Sequence, residues 1–393
     1  METALDAVPE TAEQALGELA LAGVVIVGAG PSGLAMAACL KRLNVPHVVI
    51  ERHAAAGASW RNHYDRLHLH TVKEHSALPY LPFPKSYPRY PSRDQVAAYL
   101  EDYERHFGLR VRYNEEVTGI SKTKTGWQTR TTQSEVHSRC VVIASGYNRR
   151  PYVPTWPGIE EFEGLRMHSS EYRNGAAFKG GRVLVVGLGN TGGEIAMDLH
   201  EHGAKPVICV RGPVNVVPRD YLGTPMQVFG LFCSHLPRQV SNALQRTIQS
   251  IAIGDLSQWG IERPNISPAD HVNQIGRVPL VDIGMVALIK QGKIGVVPAI
   301  ERFTRSGIVC GDGSEHPFDS VILATGFRPN LHEFLDRANE VTDERGYPIP
   351  PAGESKFAGL YFLGYCNPST GLLRQINLDA KQIAANIAAK SGR

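Results

Sequence analysis

Two copies of one local pattern dominate the sequence: a short β-branched strand, a glycine-rich turn, a helix-forming segment and a second short strand. The first copy starts at residues 24–27 (VVIV), continues through the turn GAGPSG and ends in a strand at residues 48–50. The second starts at residues 183–186 (VLVV), continues through GLGNTG and ends in a strand at residues 207–210. This order is that of the βαβ unit. We therefore expect parallel sheets with helices on both faces, formed twice.

Two further predicted strands end in nearly the same tripeptide. Residues 140–143 lead into Ala-Ser-Gly and residues 321–323 lead into Ala-Thr-Gly, and the whole second βαβ unit lies between them. Prolines stiffen the chain just after the first of these strands, and Arg-Pro-Asn follows the second. The sequence therefore predicts an α/β fold with two Rossmann-like dinucleotide-binding domains, one inserted in the other.

The first glycine turn has the features of a dinucleotide site. Gly28 would make the tight turn, Gly30 would let the backbone approach a pyrophosphate, and Gly33 would allow close packing of helix on strand. Glu51, at the end of the next strand, is placed to accept hydrogen bonds from a ribose. The candidate cofactor residues here are Gly28, Gly30, Pro31, Ser32, Gly33, Glu51 and Arg52.

The second glycine turn is complete but lacks the acid. Arg211 stands at the corresponding strand end, where it could pair with a 2′-phosphate that an acid would repel. This residue favours NADPH over NADH; alternatively, Arg211 caps a surface strand and the site takes either nucleotide. The candidate residues of this site are Gly187, Gly189, Asn190, Thr191, Gly192 and Arg211.

Two complete sites in one chain indicate two dinucleotides and therefore a flavoprotein oxidoreductase. The acid-bearing site suits a permanently held FAD, and the Arg-bearing site suits an exchangeable NADPH. The predicted organisation is a mobile acidic leader at residues 1–22, the first part of an FAD-binding domain at 23–150, an NADPH-binding domain at 151–320, and the return part of the FAD-binding domain at 321–393.

Composition excludes several other classes. The 41 Lys and Arg residues exceed the 38 Asp and Glu residues by only three, which argues against nucleic acid as a partner. The first twenty residues carry five acids and no Lys or Arg, unlike a signal or transit peptide. The uncharged stretch at residues 21–40 contains the first glycine turn, so we expect no integral membrane segment. The six cysteines form no CxxC pair, which favours a cytoplasmic, reducing compartment.

Two further features of the chain are open to more than one interpretation. Histidines cluster between residues 53 and 75, but neither a cysteine nor a carboxylate pair accompanies them, so we expect no metal site. The absence of GxSxG disfavours a hydrolase. Residues 221–256 are rich in apolar side chains, which we expect to belong mainly to the core. The same segment could instead line a substrate pocket, form the face of a homodimer or touch a membrane surface.

Residues 162–172 (FEGLRMHSSEY) precede the second glycine turn and resemble the FxGxxxHxxxY motif of class B flavin-dependent monooxygenases. The similarity runs from about residue 24 to the C-terminus. Within that class the chain looks most like the YUCCA flavin monooxygenases of plants, which make auxin from indole-3-pyruvate. Matching segments include Glu51-Arg52, Trp60, Tyr64-Asp65-Arg66-Leu67, Val210-Arg211, Leu280-Val281-Asp282-Ile283-Gly284 and Asp379-Ala380.

The resemblance implies FAD at the first site and NADPH at the second. It further implies that Trp60 lies beside the flavin and that Asp379 lies near the helix end facing the flavin and its ribityl chain. Ser169 and Ser170 would help to position the nicotinamide half of NADPH. The implied partners are O2 and a small-molecule substrate.

The activity implied by the resemblance is monooxygenation. NADPH would reduce FAD, and the reduced flavin would take up O2 as a C4a-(hydro)peroxyflavin. With an aromatic 2-oxo acid the outcome would be oxidative decarboxylation, as in auxin biosynthesis. Alternatives are N- or S-oxygenation of a small nucleophile, or a flavin NADPH reductase or oxidase. Tyr172 argues against Baeyer–Villiger chemistry, because those enzymes typically carry Trp there.

Lys73 is the candidate catalytic residue. Many class B enzymes have an Asn near the flavin C4a atom, whereas this chain reads HTVKEH at residues 70–75 and matches the YUCCA-like pattern at Lys73. A lysine there could hold a peroxide anion or a substrate carboxylate by charge. The alternative is a surface lysine on a loop. Residues 368–375 depart from the plant sequences, and this difference bears on whether the chain takes the same substrate.

Overall fold

The computed structural model describes residues 22–268, 270 and 278–391. The predicted leader therefore lies outside the described residues, except for Ala22, with which the first strand begins.

The first glycine turn lies in an eight-stranded mixed sheet. Its central strand, Ala22–Val27, pairs in parallel with His47–Ile50 on one side and with Glu135–Ile143 on the other. The β-branched side chains of this strand are fully or almost fully buried, as expected for a strand covered on both faces. The strands of this sheet are Ala22–Val27, His47–Ile50, Val111–Arg112, Val117–Lys122, Trp127–Thr131, Glu135–Ile143, Gly353–Glu354 and Leu360–Phe362.

The second glycine turn lies in a separate, fully parallel sheet of five strands. In spatial order these strands are Gly295–Val297, Lys205–Cys209, Arg182–Val186, Ser320–Leu323 and Leu165–His168. The two sheets confirm the predicted pair of Rossmann-like units.

The helices follow from local signals. Pro31 opens the helix after the first turn, where its missing N–H costs nothing. Ser92 and Gln95 form a capping box at another helix, which ends at Gly108 in the left-handed conformation. The described helices are Pro31–Arg42, Ala58–Arg61, Arg93–Phe107, Asn190–Glu201, Met226–Cys233, Arg238–Ala252, Met285–Lys290 and Leu372–Ser391. None of them combines the length and apolar composition needed to cross a membrane.

Short sheets complete the fold. Val216–Pro218 pairs in parallel with Leu280–Asp282, and Asp220–Tyr221 forms a hairpin with Thr224–Pro225. A three-stranded antiparallel sheet packs against the five-stranded sheet through Phe303 and Ile308. Its strands are Ile300–Thr304, Gly307–Cys310 and Glu315–Pro317.

The chain passes between the sheets along a two-stranded ribbon. Arg150–Pro151 runs outward and pairs in antiparallel fashion with Phe327–Arg328, which runs back. Ser320–Leu323 precedes this return and pairs with two strands of the five-stranded sheet. A boundary at residue 321 would cut that strand, so we propose that the inserted domain runs from about residue 151 to about residue 327.

The apolar segment at residues 221–256 differs from the expectation. Its buried residues include Gln227, Ser241 and Gln249, whereas the side chains of Phe232 and Ile251 are exposed. The assignment of its apolar positions mainly to the core is therefore wrong. The physical reason is that its two helices border a cavity, so that most of their apolar side chains are half-buried or exposed, whereas the buried apolar residues of the segment are Cys233, Ile253 and Leu256.

Candidate active site

A cavity of about 690 Å³ joins the two glycine turns. Many of the predicted cofactor residues line it, namely Gly28, Gly30, Pro31, Ser32, Glu51, Arg52, Trp60, Ser170, Asn190 and Thr191. The remaining candidates do not line it, namely Gly33, Lys73, Ser169, Gly187, Gly189, Gly192, Arg211 and Asp379.

The three glycines of the first turn have different surroundings. Gly28 has a φ of +104°, and a Cβ atom there would lie 2.9 Å from the carbonyl oxygen of Ala144. A Cβ atom on Gly33 would lie 1.8 Å from the carbonyl oxygen of Gly28. Gly30, in contrast, has no atom within 4 Å of its Cβ position and lies on the cavity wall. This open space before a helix N-terminus fits a pyrophosphate.

The second turn repeats this geometry. Gly187 has a φ of +113°, and its Cβ position lies 2.7 Å from the carbonyl oxygen of Ala324. The Cβ position of Gly192 lies 2.0 Å from the carbonyl oxygen of Gly187, whereas that of Gly189 has nothing within 4 Å. The Ala-Ser-Gly and Ala-Thr-Gly tripeptides thus occupy equivalent positions in the two sheets. The two turns therefore share one geometry, and each leaves an open space that suits a phosphate. We call residues 28–33 the first cradle and residues 187–192 the second cradle.

Glu51 ties the first cradle to its strand. Its Oε2 atom accepts a hydrogen bond from the N–H of Ala29 at 2.7 Å, and its Oε1 atom accepts from the N–H of His53 at 2.9 Å. The carboxylate is 9% exposed and lines the cavity. It is therefore held in place before any ribose reaches it.

The FxGxxxHxxxY segment brings Ser170 to the cavity. The N–H of Ser170 donates to Nδ1 of His168 at 3.1 Å, which leaves Nε2 of this imidazole to donate to the carbonyl oxygen of Gly326 at 3.1 Å. Ser169 is buried, and its N–H donates to the carbonyl oxygen of Leu323 at 3.0 Å. Of the two predicted serines, Ser170 is the one that lines the cavity.

Burial lowers the pKa of His168 below its ordinary value of 6.5. The unfolded chain therefore binds this proton at a higher pH than the folded chain does. The His168 contribution to stability is complete above about pH 6.5 and is lost as the pH falls through the folded pKa. We expect the melting temperature to fall on acidification from about pH 8 to about pH 5.5, and to fall less in His168→Gln. Calorimetry of both proteins would test this, and parallel pH profiles would contradict it.

Lys73 is not placed to act on a ligand. It does not line the cavity, and its ammonium donates to the carbonyl oxygens of Pro84 at 3.3 Å, Lys85 at 2.9 Å and Tyr87. A cation satisfied by three carbonyl groups holds the loop at residues 84–87 in place. These contacts favour the alternative of a lysine on a loop, because the charge of Lys73 is directed at the backbone, and its catalytic role stays a prediction.

Lys73→Met should lower stability without removing activity. We expect a loss of about 1–3 kcal/mol in the free energy of unfolding, because charge-assisted hydrogen bonds of the folded state are lost. The value of kcat should stay within about twofold, since no reacting group is touched. Lys85→Met is the matched control, because the Lys85 side chain is exposed and should change stability by less than about 0.5 kcal/mol. Denaturant unfolding and steady-state kinetics would measure both effects.

Asp379 also differs from its predicted place. It lies about two turns inside the helix Leu372–Ser391, where Oδ1 accepts a hydrogen bond from Gln375 at 2.8 Å. Burial raises the pKa of its carboxyl group. The cavity is bordered instead by the start of this helix, including Leu372 and Leu373. A flavin in the cavity would meet that helix end rather than Asp379.

Arg211 is exposed just beyond the strand Lys205–Cys209. It has no ion-pair partner among the described residues, so its guanidinium is available to a ligand at this strand end.

The cavity wall also contains a pair of ionisable residues that no sequence motif predicts. Nε2 of His70 lies 2.7 Å from Oε1 of Glu194, and Glu194 is only 3% exposed. Tyr64 is buried beside Glu194, and both residues line the cavity together with His70. The pair links the loop before Lys73 to the helix after the second glycine turn. Within the described residues, no group of three His, Cys, Asp or Glu side chains could hold a metal ion.

The far end of the cavity is largely apolar. It is formed by the strand pair Val216–Pro218 and Leu280–Asp282 and by the helices of residues 221–256. For several residues of the segment 221–256, this supports the alternative that the segment lines a substrate pocket. The lining residues at this end include Val217, Pro218, Arg219, Met226, Gln227, Phe229, Gly230, Gln245, Gln249, Pro268, Val278, Pro279 and Val281.

Comparison with known proteins gives three findings. A family model described as pyridine nucleotide-disulphide oxidoreductase matches residues 25–220. Indole-3-pyruvate monooxygenase YUCCA1 of Oryza sativa subsp. japonica is 41% identical over 375 residues, which covers 93% of this chain and 91% of the relative. A mutant flavin monooxygenase from Stenotrophomonas maltophilia has the same fold, with a TM-score of 0.75 at 24% identity, covering 94% of this chain and 99% of that one.

Proposed function

Because the chain belongs to the family of YUCCA flavin monooxygenases, we propose that it oxidatively decarboxylates an aromatic 2-oxo acid, with indole-3-pyruvate as the substrate and indole-3-acetate as the product. The 41% identity to the rice enzyme extends over 93% of the chain and so includes both glycine turns and the apolar end of the cavity. The reaction places the enzyme in auxin biosynthesis.

The chain is a flavin-containing monooxygenase that uses FAD and NADPH, and it has a cradle for each. The chemistry that bound FAD would supply is acceptance of a hydride from NADPH and transfer of the electrons to O2. Gly30 and the N-terminus of Pro31–Arg42 would hold the FAD pyrophosphate, and Asn190 and Thr191 would hold that of NADPH. Overall, one 2-oxo acid, one O2, one NADPH and one proton give the shortened acid, CO2, NADP⁺ and water.

The observation that carries this proposal is the shared cavity. Both cradles open into it, and its far end is apolar. Bound cofactors would therefore meet a substrate in one shared cavity and would displace water from it. Exclusion of water favours transfer of oxygen to the substrate over loss of the reducing equivalents to peroxide.

A product assay tests the proposal. The FAD-loaded enzyme is incubated with NADPH, O2 and indole-3-pyruvate, and indole-3-acetate, CO2, NADPH consumption and hydrogen peroxide are measured together. We expect acid and CO2 in equal amounts, matched to the NADPH consumed. NADPH consumption that yields only peroxide would favour a reductase or oxidase. Turnover of a tertiary amine or a thioether in place of the 2-oxo acid would favour N- or S-oxygenation.

The proposal also covers the location of the enzyme in the cell and its oligomeric state. We place the enzyme in the cytoplasm, because the described cysteines are free thiols, and fractionation of cells would test this. We also propose a homodimer, supported by the exposed apolar side chains of Leu222, Phe232 and Ile251 in the segment at residues 221–256. Sedimentation analysis would test it.

A further inference from the structure

Arg219 enters the apolar end of the cavity on a fixed backbone. Its N–H donates to the carbonyl oxygen of Asp282 at 3.1 Å, and its carbonyl oxygen accepts from the N–H of Met226 at 2.9 Å. These bonds tie the residue that follows the strand Val216–Pro218 to the strand Leu280–Asp282 and to the helix Met226–Cys233 that borders the cavity. The position of the Arg219 Cα atom is therefore set by three elements of the inserted domain.

The guanidinium of Arg219 is also fixed. Its Cζ atom lies 4.1 Å from the centre of the Tyr90 ring, and its Nε atom donates to Oδ2 of Asp220 at 3.0 Å. Asp220 also accepts the hydroxyl of Tyr90 and lies 3.8 Å from Nη1 of Arg89. Two arginines thus share one carboxylate, which leaves a net positive charge at this place. A guanidinium held in this way loses little conformational entropy on binding an anion.

The outer nitrogens of Arg219 are still available. Within the described residues, neither Nη atom of Arg219 has a hydrogen-bond partner, although its side chain is only 30% exposed. The cavity wall contains two other arginines. Arg149 is paired with Glu333 and with Glu116. Arg52, beside the first cradle, donates from Nε to His53 and lies 4.0 Å from Glu116. Arg219 is therefore the arginine at the apolar end of the cavity, and both of its outer nitrogens can donate to a ligand.

The surroundings of Arg219 define the rest of the ligand. Val217, Pro218, Met226 and Phe229 supply a wall without charge, suited to a flat aromatic ring. A carboxylate accepts two parallel hydrogen bonds from a guanidinium, whereas an amine or a thioether offers no such acceptor pair. The ligand that fits this end has an aromatic body and one carboxylate.

We propose that Arg219 binds the carboxylate of the substrate and thereby selects aromatic carboxylic acids for this end of the cavity. The proposal rests on the proposed function, of which it names the specificity-determining residue. Arg219 holds the acid group while the ring lies against Phe229 and Met226. The carbon beside the carboxylate is then presented to the part of the cavity that lies between the two cradles.

Binding of an acid that cannot react provides the test. The FAD-loaded enzyme with NADP⁺ is titrated calorimetrically with indole-3-propionate and with its neutral amide. For Arg219→Gln we expect the dissociation constant of the acid to rise about 10- to 100-fold and that of the amide to change less than about threefold. In turnover of indole-3-pyruvate, KM should rise by a similar factor and kcat should fall much less.

Arg305→Gln is the matched control. Arg305 is an exposed arginine of the inserted domain that pairs with Glu163 and does not line the cavity, so the affinity for the acid should change less than about threefold. Arg219→Lys keeps the charge without the two parallel donors, and its affinity should be intermediate. Flavin content and melting temperature identify any variant that has not folded, and Arg219→Lys then provides the decisive comparison.

The outcomes separate this inference from the proposed function. Arg219-dependent binding of the acid without turnover of indole-3-pyruvate would support the site and overturn the proposed reaction. Turnover of indole-3-pyruvate with equal binding of acid and amide, or with an unchanged acid affinity in Arg219→Gln, would support the reaction and overturn the role of Arg219.

Discussion

Gly30→Ala should give a folded protein that has lost its FAD, whereas Gly33→Ala should prevent folding. Gly30 has a φ of −78°, which any residue can adopt, and its Cβ position is free of protein atoms. The new methyl group would occupy the space into which the pyrophosphate must come. Losing one or two backbone hydrogen bonds to a charged phosphate should weaken FAD binding about 10- to 150-fold. In Gly33→Ala the methyl group would instead collide with the carbonyl oxygen of Gly28.

The ratio of flavin to protein absorbance after purification would measure the first effect, and the melting temperature of the apoprotein would measure the second. Gly189→Ala is the internal control, because Gly189 has the same open surroundings in the second cradle. That variant should keep FAD and bind NADPH more weakly. If Gly30→Ala retained full flavin while Gly189→Ala lost it, the assignment of FAD to the first cradle would be wrong.

Both cradles could be predicted from the sequence because their geometry is local. A strand, three glycines at fixed spacing and a helix are enough to specify the turn, and the structure needs Gly28 and Gly187 for their positive φ. The partner strands Glu135–Ile143 and Ser320–Leu323 could be found as well, since each ends in an Ala-x-Gly turn that packs on a cradle. The residues of the turns and the pairing of the parallel strands therefore predict the same fold for most of the chain.

What the sequence could not provide depends on contacts between distant segments. The sequence makes Lys73 a catalytic candidate, because a lysine side chain can point to solvent, ligand or backbone with similar ease. In the structure its ammonium donates to backbone carbonyl groups of residues 84–87. The partners His70 and Glu194 lie 124 residues apart, and no sequence motif joins them. Arg219 likewise follows no motif and becomes a candidate only when the strands of the inserted domain place it in the cavity.

The apolar segment at residues 221–256 shows a related limit. Composition suggests burial, yet composition cannot say whether an apolar side chain faces the core, a ligand cavity or the surface. Here Met226 and Phe229 line the cavity, whereas Phe232 and Ile251 are exposed. The difference is set by how the two helices rest on the strand pair Val216–Pro218 and Leu280–Asp282. That arrangement is a tertiary property, and amphipathic periodicity alone does not contain it.

Arg211→Ala should largely abolish the preference for NADPH over NADH. The side chain is exposed at the strand end beside the second cradle and has no ion-pair partner in the described part of the chain, so nothing competes with a 2′-phosphate for it. A charge-assisted contact with phosphate is worth about 1.5–3 kcal/mol. We therefore expect kcat/KM for NADPH to fall about 10- to 150-fold, while the value for NADH stays within about threefold.

Steady-state kinetics with both nucleotides would measure the effect. In the wild-type enzyme, raised salt should weaken the binding of NADPH but not that of NADH. Arg305→Ala is the control, because Arg305 is an exposed arginine of the inserted domain that pairs with Glu163 and does not line the cavity. The loss of kcat/KM for NADPH in Arg211→Ala should appear in KM rather than in kcat, since the 2′-phosphate is remote from the hydride that is transferred. If the variant kept its discrimination, or if the wild-type enzyme used both nucleotides equally, Arg211 would be a surface residue at a strand end and the discrimination would have to come from other parts of the second cradle.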